Sequence, residues 1–303
     1  MNDLEMTRAV DRALQPEFIS KVINPMIEQE LLFEDIFKRY TISELSFTYN
    51  RKLTNTTEDI MSGLQGKPGL LNEVGTLSEI DTSQIIQVHG NMTARGYKKT
   101  FAQSIYRTST AMSVIDEAIN SAAYGISYQQ NQDIISTIVN NKNDVDEYKA
   151  DIKWGEPDAD PIDDILKIIS STIIPGSPCM LTDLYLNKEQ YFFLLSYAQN
   201  KTNVPWTETP FKDTITLPSV NGVIIHNALE GMIEAGDYIG LYRKQPGIEI
   251  YQYIDPNIPS NGYINVNQYT EVPKPYNMVT EFFSEVGYAI VDPNSLYYAK
   301  DAL

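Results

Sequence analysis

The chain has 303 residues, 42% hydrophobic and 21% charged, so it can form about two domains with real cores and is not disordered as a whole. Its 40 acidic and 23 basic residues give a net charge of −17, which opposes binding to nucleic-acid phosphates over most of the surface. The single cysteine, Cys179, excludes an intrachain disulfide framework and a cluster of thiolate metal ligands.

The first 40 residues are predicted to form an arm. Residues 1–15 lack the basic-then-apolar order of a signal peptide, and no run of the chain reaches the roughly 18 apolar residues of a membrane helix. We therefore expect the protein to be inside a cell during its synthesis. Pro16 and Pro25 interrupt the helical periodicity that follows, so the arm is expected to contain short helices broken at these residues.

A strand and a long polar loop come next. Leu45, Phe47 and Tyr49 alternate with polar residues over 44–49, which predicts a half-buried strand. Residues 50–83 hold several glycines and few large apolar side chains, so they are predicted to protrude as a loop. The glycines and lysine at 63–67 are not a phosphate loop, because Pro68 stands where Ser or Thr is needed.

The returning segment, 85–105, fits two interpretations. Tyr97, Phe101 and Ile105 follow a helical spacing of four, but Gly90 and Gly96 punctuate the segment and favour strands. The clearest helix is predicted over 113–140, where apolar residues recur at the third, fourth and seventh positions after Ile115. Unbroken, it would be roughly 40 Å long, with Gly125 as its weakest point.

The remainder alternates between helices and strands. An acidic, turn-rich connector at 141–160 leads to a helix capped by Asp160 and opened by Pro161. A strand over 180–186 is followed by Asn187 and Gln190 in the spacing of a capping box, which predicts a second helix. From residue 203 onward the chain is predicted to be mainly strand, with runs at 222–226, 237–242 and 248–254 and a strand pair within 278–291 that Asp292 and Pro293 close.

Sites of catalysis or metal binding are hard to build from these residues. His89 and His226 have no second ligand at a metal-binding spacing, and a nucleophilic pair of Cys179 with His226 is far less common than a structural thiol. One enzymatic alternative stays open. Trp154 with the carboxylates of Glu156, Asp158 and Asp160 could serve a carbohydrate-active hydrolase, although a solvated acidic turn explains the same residues.

The order of these segments resembles the major capsid proteins of tailed bacteriophages and archaeal tailed viruses, an α+β fold of the Hong Kong 97 type. The runs MLTDLYLNKEQYFFLLSYA at 180–198 and FFSEVGYAIVDPNSLYYA at 282–299 are similar to strands and a helix of that family's peripheral domain, the second being the more specific. The resemblance implies an N-terminal arm at 1–40, an extended loop at 41–108, a spine helix and peripheral domain at 109–202, an axial domain at 203–272 and a return to the peripheral domain at 273–303.

The same resemblance implies a structural protein with no catalytic residues, cofactor, metal or membrane association. Its partners would be further copies of itself, as hexamers and pentamers of an icosahedral shell, with packaged double-stranded DNA inside that it does not read by sequence, and a scaffold, portal or decoration protein. The loop tip, Gly63, Gly66, Lys67 and Gly69, would contact a neighbouring subunit. Some relatives cross-link such a lysine to an asparagine, for which Asn187 and Asn200 are candidates. An encapsulin, a cellular compartment shell of the same fold, is the alternative function.

Overall fold

The computed structural model describes residues 15–52, 85–101, 111–142, 147–173, 180–200, 206–211, 215–228, 231–256, 262–271 and 277–303. Contacts within the chain divide it into two compact units, each with its own hydrophobic core. Unit 1 comprises Met1–Tyr49, His89–Ile134 and Glu249–Ala289. Unit 2 comprises Asn50–Val88, Ile135–Ile248 and Ile290–Leu303.

Four helices are present in the described residues. They are α1 (Pro16–Glu30), α2 (Ala111–Asn141), α3 (Pro161–Ser171) and α4 (Lys188–Asn200). None of them is long and apolar enough to cross a membrane. The long predicted helix is confirmed as α2, and its 31 residues correspond to about 46 Å.

Two residues were predicted to break or weaken a helix, Pro25 in the arm and Gly125 in the long helix. Pro25 was expected to break the arm, but α1 runs through it. Because Pro25 lies on the exposed side while Ile19, Ile23 and Ile27 are buried, packing of the apolar face offsets the hydrogen bond that proline removes. Gly125 does not interrupt α2 either, and a Cβ atom there would lie 2.3 Å from the Tyr97 hydroxyl oxygen, so the glycine makes room for that ring.

Unit 1 is built on a five-stranded sheet. Its strands are β1 (Lys38–Ile42), β4 (Thr93–Phe101), β10 (Ile248–Tyr253), β11 (Asn265–Glu271) and β12 (Asn277–Ile290). The strand order is β1-β10-β12-β11, and β4 also pairs with β12. β1 runs parallel to β10, whereas β4 and β11 are antiparallel to β12. The core of the unit joins buried side chains of α1, the first part of α2 and this sheet, among them Ile23, Ile119 and Phe282.

A buried polar network fixes the segment after α1 onto α2. Asn131 accepts a hydrogen bond from the Leu32 backbone N–H at 3.0 Å and donates to the Glu30 carbonyl at 2.9 Å. Beside it, Arg39 forms an ion pair with Glu34 at 2.8 Å. The same guanidinium also donates to the side-chain oxygens of Gln130 and Gln252. Polar residues in the middle of a long helix are thus buried because backbone and arginine partners satisfy them.

Unit 2 contains a six-stranded sheet. Its strands are β5 (Asp183–Leu186), β6 (Trp206–Phe211), β7 (Ile215–Val220), β8 (Val223–Asn227), β9 (Tyr238–Leu241) and β13 (Leu296–Ala299), in the order β13-β9-β5-β8-β7-β6. Only β5 and β8 pair in parallel among the described registers of this sheet. Helices α3 and α4 contribute Ile165, Ile168 and Leu194 to its core.

The predicted caps of the unit 2 helices are confirmed. The Asp160 carboxylate accepts the Asp163 backbone N–H at 3.2 Å, and Pro161 opens α3. The Asn187 side chain accepts the Glu189 N–H at 2.9 Å at the start of α4. Asp292 caps a short 3-10 turn before β13, at the predicted Asp-Pro boundary.

Candidate functional site

The predicted assembly residues at the loop tip lie outside the described residues. They are Gly63, Gly66, Lys67 and Gly69. The described residues on either side of 53–84 form β2 (Ser46–Lys52) and β3 (Ile85–Asn91), which pair as a two-stranded ribbon.

The ribbon exposes large apolar side chains. Ile85 and Ile86 of β3 are 50% and 41% exposed, and Leu45, directly before β2, is 56% exposed. Within the two strands only Phe47 is buried, stacked on Tyr251 with ring centroids 4.2 Å apart. Successive strand residues point to opposite faces, so Ile85 and Ile86 place an exposed apolar side chain on each face of the ribbon. Since a two-stranded ribbon is at best marginally stable alone, these side chains favour burial against another surface.

Strand β4 is exposed and basic. Eight of its nine residues are exposed, and it carries Arg95, Lys98 and Lys99 in a chain whose net charge is −17. Arg95 forms an ion pair with Asp133 at 2.8 Å, and the Lys98 ammonium lies 5.7 Å from the centre of the Tyr269 ring. We call these three cations the basic surface of β4.

Two open grooves flank this basic surface. One of about 230 Å³ lies between β4 and α2 and is lined by Tyr97, Lys99 and Glu117 among others. The other, of about 360 Å³, lies between β4 and β12 and includes Gly96, Lys98 and Glu281. Both grooves combine an aromatic ring with charged side chains, which suits a partly wet protein contact.

Helices α1 and α4 also present apolar residues to solvent. On α1, Phe18 and Val22 are exposed one turn apart, and on α4 Phe192 is more than half exposed. Large exposed side chains of this kind are enriched where proteins meet partners.

The residues of the hydrolase alternative have structural roles in the folded chain. The Trp154 indole N–H donates to Asp164 at 2.8 Å, and the Tyr148 hydroxyl donates to the same carboxylate at 2.6 Å. Burial, followed by this bond to Asp164, raises the pKa of Tyr148 to about 12. With Asp160 capping α3, the tryptophan and one carboxylate of the hydrolase alternative hold the turn in place.

The remaining carboxylates of this segment stay at the surface. Asp151, Glu156 and Asp158 are exposed, and none of them forms an ion pair within the part of the chain that the structure describes. We call residues 151–160 the acidic turn.

A buried charged cluster in unit 2 was not predicted from the sequence. Asp183 is fully buried and accepts hydrogen bonds from His226 at 2.7 Å, from Arg243 at 2.5 Å and from Thr182 at 2.8 Å. Burial pushes the pKa of Asp183 up, but the bonds from His226 and Arg243 outweigh it and hold the pKa below its ordinary value. The signal in the sequence was a lone aspartate inside an apolar strand.

This cluster gives His226 a structural place. Its ring stacks on Tyr185 with centroids 4.3 Å apart, and its Nε2 atom bonds Asp183. Cys179, its hypothetical nucleophilic partner, lies outside the described residues, and His89 bonds the Thr48 hydroxyl at 2.9 Å. Within the described ranges, no three His, Cys, Asp or Glu side chains form a group able to hold a metal ion.

The two candidate cross-linking asparagines differ in their surroundings. The Asn187 amide donates to the Ile233 carbonyl at 2.6 Å and its oxygen caps α4, so both ends of the side chain are engaged. Asn200 is exposed at the end of α4 and donates to the Ser196 carbonyl at 2.9 Å. Asn200 is thus the more accessible of the two.

Comparison with known proteins gives matches in structure alone. No family model and no curated protein matches the sequence. A virus-like particle protein from Pyrococcus furiosus matches over 93% of this chain and 97% of its own, at 9% identity and a TM-score of 0.56. The SrpI encapsulin from Synechococcus elongatus covers 93% of this chain and 89% of its own, at 11% identity and a TM-score of 0.56.

A viral capsid protein matches over a similar length. The mature capsid of bacteriophage PhiM1 covers 89% of this chain and 86% of its own, at 14% identity and a TM-score of 0.51. Matches that span nearly the whole of each chain show a shared fold, not only a shared motif. The chain therefore has the α+β fold of Hong Kong 97 type major capsid proteins.

Proposed function

We propose that this protein is a major capsid protein that assembles into the icosahedral shell around a viral double-stranded DNA genome. The observation that carries the proposal is the fold itself, shared over almost the full chain with subunits of shells and particles. The exposed apolar ribbon supports it, because such a surface favours burial by a neighbour.

The mechanism would be mechanical. The ribbon and the loop tip, with Gly63, Gly66, Lys67 and Gly69, would lie over the next subunit. The chain would be divided into an arm at 1–40, an extended loop at 41–108, a spine helix and peripheral domain at 109–202, an axial domain at 203–272 and a return to the peripheral domain at 273–303. Complete burial of a half-exposed isoleucine contributes roughly 1 kcal/mol. Stability of the shell would come from the repetition of such contacts around each hexamer and pentamer.

The surroundings of the shell follow from the same proposal. Assembly would take place in the host cytoplasm, with a scaffold, portal or decoration protein as further partners, and the product would be the virion. A net charge of −17 suits an inner wall along which packaged DNA slides instead of adhering. The subunit would act without catalysis or a cofactor.

An encapsulin is the second candidate. The observation that favours it is the Synechococcus match, whose TM-score of 0.56 equals that of the virus-like particle protein. Fold alone does not separate a container for DNA from a container for enzymes.

Electron microscopy and nuclease protection test the two candidates together. Purified protein from the native host should form hollow or filled shells of uniform diameter. Nuclease-resistant double-stranded DNA inside them supports the capsid, and a co-purifying enzyme in place of DNA supports the encapsulin. Persistent monomers under all conditions would contradict both.

A further inference from the structure

The basic surface of β4 includes a cation that is available for a partner. Lys99 is exposed, lines the groove between β4 and α2, and forms no ion pair within the described residues. Tyr97, half exposed in the same groove, offers an aromatic face beside this ammonium group. The site therefore favours an acidic group that can approach both side chains.

The acidic turn offers such groups in a preformed shape. Its backbone is closed by the Glu156 N–H to Lys153 carbonyl bond at 3.1 Å and the Ala159 N–H to Glu156 carbonyl bond at 3.3 Å. Asp158 adopts a left-handed backbone with φ of 72°, a conformation that aspartate tolerates better than most residues. With Trp154 fixed to Asp164, the exposed carboxylates need little ordering when they bind.

We propose that the basic surface of β4 on one copy receives the acidic turn of a second copy, an inference that rests on the proposed self-assembly. Charge complementarity selects the partner, because these are exposed groups of opposite sign on different parts of one chain. A contact between two different patches is heterologous, and repetition of a heterologous contact closes a ring when its rotation permits. Ring closure is the step that a hexamer or pentamer requires.

Charge reversal tests the contact directly. Lys99→Glu and Glu156→Lys should each raise the protein concentration needed for assembly, by about two- to fivefold for each pair lost, with a larger effect at low salt. Lys99→Gln should shift it less, in the same direction. The double variant carrying both reversals restores opposite charges across the contact and should recover assembly. Lys300→Glu, at an exposed lysine after β13, makes the same charge change outside the contact and should assemble like the wild type.

The outcomes separate this contact from the proposed function. Recovery in the double variant, with circular dichroism unchanged in each single variant, supports the contact. If the wild type forms shells and Lys99→Glu or Glu156→Lys assembles at the same concentration, the contact is overturned and the proposed function stands. Loss of assembly in Lys99→Glu without recovery in the double variant would also overturn it, since β4 would then bind some other acidic partner. Failure of the wild type to assemble in every condition would overturn the proposed function itself.

Discussion

Replacing the buried aspartate of unit 2 gives the sharpest prediction about stability. In Asp183→Asn the shape of the side chain is kept, but the negative charge between His226 and Arg243 is lost. The amide keeps only one of the two carboxylate oxygens, so it cannot accept all of the hydrogen bonds that His226, Arg243 and Thr182 donate to Asp183. The variant thus leaves a positive charge close to a fully buried site.

The size of the effect follows from what becomes unpaired. Removing one partner of a buried ion pair costs about 3–5 kcal/mol, because the remaining charge has lost its compensation. Here the Arg243 side chain is about one third exposed, so water can recover part of its hydration. We therefore expect a loss of about 3 kcal/mol in the free energy of unfolding, at the lower end of that range.

Urea unfolding followed by tryptophan fluorescence measures this change, on subunits kept below the assembly concentration. Asp151→Asn, at an exposed carboxylate, is the matched control and should stay within about 0.5 kcal/mol of the wild type.

The pKa of Asp183 is lowered in the folded state, so its stabilisation is present above its ordinary pKa of 3.8 and is lost as pH falls through the folded value. The difference between wild type and Asp183→Asn should accordingly shrink below about pH 4. Equal stability of the two proteins at neutral pH would refute the reasoning.

Three further predictions concern other parts of the fold. Gly96→Ala places a Cβ atom 2.5 Å from a backbone oxygen of β12, so the free energy of unfolding should fall by about 1–3 kcal/mol and assembly should weaken. Thermal unfolding measures the first effect, and an unchanged melting temperature would contradict it. Asn131→Leu removes the acceptor of the Leu32 N–H, so trypsin should cleave after Lys38 and Arg39 faster than in the wild type. Equal cleavage rates would show that Asn131 does not hold the segment after α1. Burial raises the pKa of both Tyr148 and Tyr251 to about 12, so their contribution to stability is complete below pH 10 and is lost as pH rises through the folded value. Ultraviolet titration should show phenols that ionise near pH 12, and titration of every phenol near pH 10 would refute this.

Local patterns predicted the elements whose causes are local. The apolar spacing after Ile115 predicted α2 to within about two residues at each end, and Asp160 and Asn187 marked helix starts because a cap bonds only two or three residues ahead. The strand pair predicted within 278–291 was wrong, because this segment forms one strand of 14 residues, β12.

Long-range partners were beyond such patterns. Arg39 reaches Gln130 and Gln252 across 91 and 213 residues of sequence, and no periodicity encodes that pairing. The parallel pairing of β1 with β10 is equally distant in sequence. Pro25 misled because the prediction weighed one lost hydrogen bond without the burial of the residues around it.

The candidate site was only partly predictable. Strand β4 is exposed on both faces, so it has no alternation of apolar and polar residues by which its surface could be assigned. The sequence does not distinguish Lys98 and Lys99 from other lysines of the chain. The grooves beside them in the structure do.

Cryo-electron microscopy of the assembled protein tests the central claim most directly. The account predicts shells built of hexamers and pentamers in which Leu45, Ile85 and Ile86, now about half exposed, are buried against a neighbouring subunit. Particles that never form, or a shell in which this ribbon faces solvent without touching another copy, would contradict it.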